Sequence, residues 1–252
     1  MLHTKRVLML SYLIDFMLGV GIGLIAGLFG VGGGFLIVPA LTFMGLPIHL
    51  AIGTSLACIV MSSFASAFTH LREGKVLLRV AALKELFSVP AAISGAYLTI
   101  FINESMLRAI FSGLLVYLAY ELLKTSGEEC SPEVSSINYR NIPVVGLFAG
   151  FISGLLGISG GILNVPLFHT MVGVPVKYAI GTSSVAIFFT AFAAAYEHYT
   201  LGQVSLRTAL LLAPGLMVGA YAGARLAHRI QPKKLKLGFA GILILIAVKM
   251  VI

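Results

Sequence analysis

Gly27-Leu28-Phe29-Gly30-Val31-Gly32-Gly33-Gly34-Phe35-Leu36-Ile37-Val38-Pro39 is a glycine cluster set in an apolar run, and the chain writes it twice. The second copy, Gly154-Leu155-Leu156-Gly157-Ile158-Ser159-Gly160-Gly161-Ile162-Leu163-Asn164-Val165-Pro166, lies 127 positions later. Glycine costs about 1 kcal/mol against alanine inside a helix. Gly30, Gly32, Gly33 and Gly34 therefore read as a break between two helical segments. Gly19, Gly23 and Gly27, with Gly146, Gly150 and Gly154, are different. Their four-residue spacing suits close approach of two helix backbones.

The surroundings of these breaks are membrane-like. Of 252 residues, 59% are hydrophobic and 10% charged, and the mean hydropathy is +1.03. A soluble domain carries roughly 25% charged residues, so the chain reads as an all-α polytopic membrane protein. The net charge of +8 is then a matter of loop placement and predicts no nucleic-acid partner. Cys58 and Cys130 suggest neither a disulfide framework nor a metal site, and no cofactor is expected. Lys5 and Arg6 precede an apolar run that continues to Gly30 without a small-residue cleavage site, which predicts a first membrane segment rather than a signal peptide.

The pattern predicts a helix over 7–29, a short segment over 35–44, and spans over 48–69, 80–102 and 106–123. Residues 124–140 form the long polar linker. The order then restarts: 142–156, the second break, a short segment over 162–171, and spans over 176–196, 206–225 and 235–251. Ala51-Ile52-Gly53-Thr54-Ser55 returns as Ala179-Ile180-Gly181-Thr182-Ser183. His70, Gly74, Val76 and Arg79 return as His198, Gly202, Val204 and Arg207, and Pro90 with Gly95-Ala96-Tyr97 as Pro214 with Gly219-Ala220-Tyr221. The expected organisation is a first transmembrane repeat (1–124), a linker (125–140) and a second repeat (141–252). Each repeat has a glycine-broken helix pair followed by three transmembrane helices.

Loop charges orient the repeats. Arg72, Lys75 and Arg79 crowd loop 71–79, while its mate 199–207 has only Arg207. Loop 103–108 has only Arg108, while its mate 227–236 has Arg229, Lys233, Lys234 and Lys236. Opposite biases in matched loops predict two inverted repeats in the cell membrane with both termini outside; Lys5 and Arg6 run against that placement.

Inverted repeats with matched broken helices are the pattern of secondary transporters, with the site near midplane at the repeat interface. Helices restarting at Gly33-Gly34-Phe35 and Gly160-Gly161-Ile162 would present unpaired amides to a small anion. Thr54, Ser55, Thr182, Ser183 and Ser184 offer hydroxyl donors, or bond back to their own helices. Asn164 replaces Ile37 of the first copy and reads as an orienting donor. Asp15 is an intramembrane acid that suits proton coupling or a helix–helix bond. Lys84 and Glu85 read as close to a span end, where they pair or snorkel. His70 and His198 are expected to close their spans at the interface, in a loop contact or a proton or gating role.

The doubled glycine motif with its trailing proline, the doubled Gly-Thr-Ser and the acidic-polar linker together resemble the sulfite exporter TauE/SafE family of membrane permeases. The resemblance covers essentially the whole chain. It implies transport of sulfur-containing anions such as sulfite, sulfonates or related carboxylates. Carried over by position, the implied site is Gly32, Gly33, Gly34, Thr54, Ser55, Ser159, Gly160, Gly161, Asn164, Thr182 and Ser183. Two other readings compete with a transporter. Gly157-Ile158-Ser159-Gly160 looks like the Gly-x-Ser-Gly of rhomboid proteases, with His169 or His198 as base, although the first copy has Gly32 where Ser159 stands. A passive anion channel could share the same lining.

Overall fold

The computed structural model describes residues 16–26, 34–124, 137–158, 160–227 and 232–251. Asp15, Gly27 to Gly33 and Ser159 lie outside the described residues, so the expectations placed on Asp15, Gly32, Gly33 and Ser159 do too.

Secondary structure among the described residues is helical. In chain order the helices are α1 (Phe16–Ala26), α2 (Gly34–Phe43), α3 (Ile48–Arg72), α4 (Leu78–Leu98), α5 (Glu104–Lys124), α6 (Ile142–Leu156), α7 (Gly161–Leu167, continued by a π turn at Phe168–Val172), α8 (Val176–Thr200), α9 (Leu206–Ala227) and α10 (Pro232–Val251). Four helical stretches, Ile48–Arg72, Tyr139–Leu156, Val176–Thr200 and Leu206–Gly223, are long and apolar enough to cross a membrane. At 25 residues, α3 is about 37 Å long, ample for a ~30 Å hydrocarbon core. The short helices α2 and α7 each carry a proline, Pro39 and Pro166, at matched positions.

The glycine stripes pack helices as their spacing predicts. A Cβ on Gly146 would lie 2.6 Å from the Lys84 carbonyl oxygen, and those on Gly150 and Gly154 would collide with Ser88 and Ala92. Thus α6 lies along α4 in parallel, backbone against backbone. A Cβ on Gly19 would lie 2.5 Å from the Leu212 carbonyl oxygen, and one on Gly23 would strike Leu216, so α1 lies along α9 in the same sense. Each half therefore lodges its first helix against the other half.

The mates α3 and α8 run antiparallel. Gly53 abuts His198 and Gln203, whereas Gly181 abuts His70 and Lys75; between these ends Ser66 donates to Ser184 at 3.1 Å. The loops follow. At one end, the His49 Nε2–H reaches the carbonyls of Thr99 and Ile102, both at 3.0 Å, and Thr99 meets the Gln203 side chain at 3.1 Å. At the other end lie Lys75 and the start of α8. The turns after α3 and α8 match as well: Gly74 and Gly202 have φ of +66° and +71°, a left-handed conformation that glycine adopts without a Cβ clash.

Candidate functional site

The second break forms where α6 ends on Gly157, at φ +67° and ψ +26°, with its N–H bonded to the Ser153 carbonyl. This left-handed stop is a common helix end. Here it is also a point of close approach, since a Cβ on Gly157 would sit 2.7 Å from the Ile52 carbonyl oxygen. The Ser55 hydroxyl lies 2.8 Å from the Gly157 carbonyl oxygen and 3.4 Å from that of Gly34, where α2 begins. Ser55 thus brings the end of α6 at the second break and the start of α2 after the first to one spot on α3.

Beyond the stop, Gly160 has φ −50°. The positive φ of this break belongs to Gly157, not to Gly160 as an anion-cradling glycine would suggest. A Cβ at Gly160 would press on its neighbour, lying 3.0 Å from Asn164 Nδ2. Asn164 is fully buried, and neither its Nδ2 nor its Oδ1 has a hydrogen-bond partner. It stands among Ile162 and Leu163 of the main apolar core. An unpaired amide in such surroundings costs about 1–3 kcal/mol.

The repeated hydroxyls divide. Thr54 Oγ1 accepts the Ser205 N–H at 3.0 Å, and Thr182 Oγ1 accepts the Leu77 N–H at 3.0 Å. These equivalent bonds anchor the loops leading into α9 and α4. Ser55 is spent on Gly157, whereas its mate Ser183 is buried with no partner for its hydroxyl. Ser184 bonds back to the Ile180 carbonyl at 3.0 Å. The structure therefore brings Gly34, Ser55, Gly157, Gly160, Gly161 and Asn164 to the junction and turns Thr54 and Thr182 toward loops.

His198 lies in the last turn of α8, where it is fully buried and makes a loop contact. The turn at Gly202 folds Gln203 back onto it, with the Gln203 N–H on the His198 carbonyl at 2.8 Å. His198 Nε2 faces the Gly154 carbonyl at 2.8 Å, and Nδ1 lies 2.7 Å from the Gln203 carboxamide. Thr99 gives its own proton to the Ala96 carbonyl at 2.6 Å. The Gln203 atom that faces Nδ1 is Oε1, and Thr99 Oγ1 lies 3.1 Å from the same oxygen. His70 is half-buried, and its Nδ1 has no partner. His169, the other histidine considered as a base, has Nδ1 3.2 Å from the Val174 carbonyl.

Lys84 and Glu85 pair, with Lys84 Nζ 2.7 Å from Glu85 Oε1, and both are buried. They are 1% and 9% exposed, in the second turn of α4 and against α6 and α8. Two adjacent charges inside an apolar stretch are the signal that would have placed them, because charges at membrane depth face the bundle interior.

No solved structure matches the chain. Among curated proteins it is 30% identical to the probable membrane transporter protein MJ0441 of Methanocaldococcus jannaschii, covering 96% of this chain and 95% of that one. It is 29% identical to the probable membrane transporter protein YdhB of Bacillus subtilis, covering 89% and 92%. It is 26% identical to YunE of the same organism, covering 96% and 98%. The family description for sulfite exporter TauE/SafE matches residues 15–250. With helices fit to cross a membrane and a match along nearly its whole length, the chain belongs to the sulfite exporter TauE/SafE family.

Proposed function

We propose that the chain is a secondary transporter of small sulfur-containing anions (sulfite, a sulfonate or a related organic anion) working by alternating access. The observation that carries this reading is Asn164, a buried carboxamide with no partner, beside Gly160 where the second break restarts. Ser183, also buried and unpaired, joins it as a donor from the other Gly-Thr-Ser helix. The transport half of the reading is supported by membership of the family and by relatives named as membrane transporters.

The chain is organised in this reading as two inverted repeats, 1–124 and 141–252, joined by linker 125–140, in the cell membrane with both termini outside. The antiparallel course of the mates α3 and α8 supports inversion, because mates of inverted repeats point oppositely through the bilayer. So does the separation of the loop after α3, with its three basic residues, from the loop after α8. Protons are the expected coupling ion.

Counterflow tests both substrate and mechanism. Proteoliposomes loaded with unlabelled sulfite should accumulate labelled sulfite transiently, and those with Asn164→Leu should not, although the variant folds. A wild type that only dissipates the gradient is a channel. Normal counterflow in Asn164→Leu removes Asn164 from the site.

A further inference from the structure

Lys84 and Glu85 are the buried Lys, Arg, Asp or Glu side chains among the described residues. Neighbours in sequence lie about 100° apart on a helix and do not naturally face each other. Here both converge on one hydroxyl of the opposite half, Thr190 of α8. Lys84 Nζ is 2.7 Å from Glu85 Oε1 and 3.1 Å from Thr190 Oγ1. Thr190 Oγ1 lies 2.9 and 2.7 Å from the two Glu85 oxygens and 3.1 Å from Ser88 Oγ. Thr190 has one proton, which goes to the carboxylate, so it accepts from Lys84 and Ser88. Two of the three ammonium donors are thereby placed.

The counterpart of this contact is apolar. Glycines one repeat apart, Gly19 and Gly146, meet Leu212 and Lys84, and Gly23 and Gly150 meet Leu216 and Ser88. The positions matching Lys84, Glu85 and Ser88 are thus Leu212, Ala213 and Leu216. Thr190 matches Ser62, which bonds back to Ile59 at 3.1 Å. Packing alone does not call for the charges, since an uncharged version of the contact stands in the same molecule. A buried ion pair is seldom more stable than its hydrophobic replacement.

We propose that Glu85 is the proton-binding group of the transport cycle, and that Lys84 ties its protonation to the entry of a monovalent anion. The inference rests on the transporter reading above. With Glu85 ionised the pair is neutral. When Glu85 takes a proton from water it becomes a neutral acid, and the ammonium is left as an uncompensated positive charge in a buried site. An anion at the second break restores neutrality, so one proton and one anion enter together. Seven residues of α6, about 10 Å, separate Gly150 at this cluster from Gly157 at the break. Glu85 keeps 9% exposure against 1% for Lys84. Of the helices packed on α4, α6 carries none, and α8 carries Lys177, Tyr178, Tyr196, Glu197, His198 and Tyr199 toward its ends. On α4 itself, Arg79 and Tyr97 lie a turn or more away.

The test uses purified full-length protein and methanesulfonate, whose single charge does not titrate near neutrality. Wild type should take up about one proton per sulfonate bound, and its affinity should fall about tenfold for each unit rise in pH once Glu85 is mostly ionised. In ligand-free protein, infrared difference spectra should show a carboxyl band that titrates with pH and is absent in Glu85→Gln. The double variant Lys84→Gln with Glu85→Gln keeps the contact without charge. It should fold, bind sulfonate independently of pH and take up no proton. Wild-type binding that is indifferent to pH and takes up no proton overturns the proton site and spares the transporter reading. A titrating Glu85 in a protein that ignores methanesulfonate, sulfite and taurine keeps the proton site and removes the substrate reading. Double-variant binding that retains the wild-type pH dependence overturns the assignment to Glu85.

Discussion

The Ser55 hydroxyl donates to the Gly157 carbonyl oxygen at 2.8 Å across 102 positions of chain. This bond fastens the Gly-Thr-Ser helix of the first half to the helix break of the second. Its repeat mate, Ser183, has no such partner. Ser55→Ala strips a buried carbonyl of a hydrogen bond and should cost about 1–3 kcal/mol. Ser183→Ala removes an unpaired hydroxyl and should leave the melting temperature unchanged or raised while weakening anion affinity. Thermal melts with and without sulfite separate the two.

Gly150 and Gly160 are both glycines in the second copy, yet their alanine variants should fail differently. At Gly150 the methyl meets the Ser88 backbone carbonyl oxygen first, with Oγ next at 2.6 Å, so α6 and α4 must separate. Low expression and a lowered melting temperature are expected. At Gly160 the backbone is right-handed, and the nearest atom is the end of the Asn164 side chain, which can turn aside. Gly160→Ala should fold and lose anion binding through a displaced Asn164, measured by thermal shift with sulfite.

Thr54→Val and Thr182→Val each orphan one loop amide, of Ser205 and Leu77, through bonds of equal length. Each should destabilise by about 1 kcal/mol. Their effects should also add, because the two loops lie at opposite ends of the α3–α8 pair. Melts of both singles and the double check this.

Opposite ends of that pair also predict opposite labelling. In a Cys130→Ser background, where Cys58 is buried, a cysteine at Glu73 should resist an impermeant thiol reagent in intact cells. One at Thr200 should react. Equal behaviour at both positions would remove the inverted arrangement.

The sequence made the helical class, the doubled order of segments and the packing glycines legible, since glycine spacing and apolar runs are local signals. Gly146 and Gly150 meet α4 as a four-residue stripe should. The burial of His198 was not legible, because it depends on Gln203 folding back through a turn whose partner Thr99 is 104 positions away. The task of Thr54 was hidden for the same reason: its partner, Ser205, is on the other half. Even the repeat misleads by a turn. Gly95 and Gly219 match in sequence, yet Gly95 meets Phe151 and Leu155 while Gly219 meets Val20 and Leu24. Those contacts are one turn out of step once the 127-residue shift is applied, because four residues are missing between Arg207 and Pro214 relative to Arg79 and Pro90.

Lodging α1 against α9 sets a timetable for synthesis. Gly19 leaves the ribosome 193 residues before Leu212, its seat, which at 5–20 residues per second is a wait of about 10–40 s. During that interval the glycine stripe of α1 has no seam to enter, whereas α6 finds α4 already in the bilayer as soon as it is made. The second half thus assembles onto a finished surface, and the first helix waits for α9 before it can dock. A stalled chain ending before residue 206 should hold α6 against α4 while α1 is still open to crosslinking by lipid or chaperone.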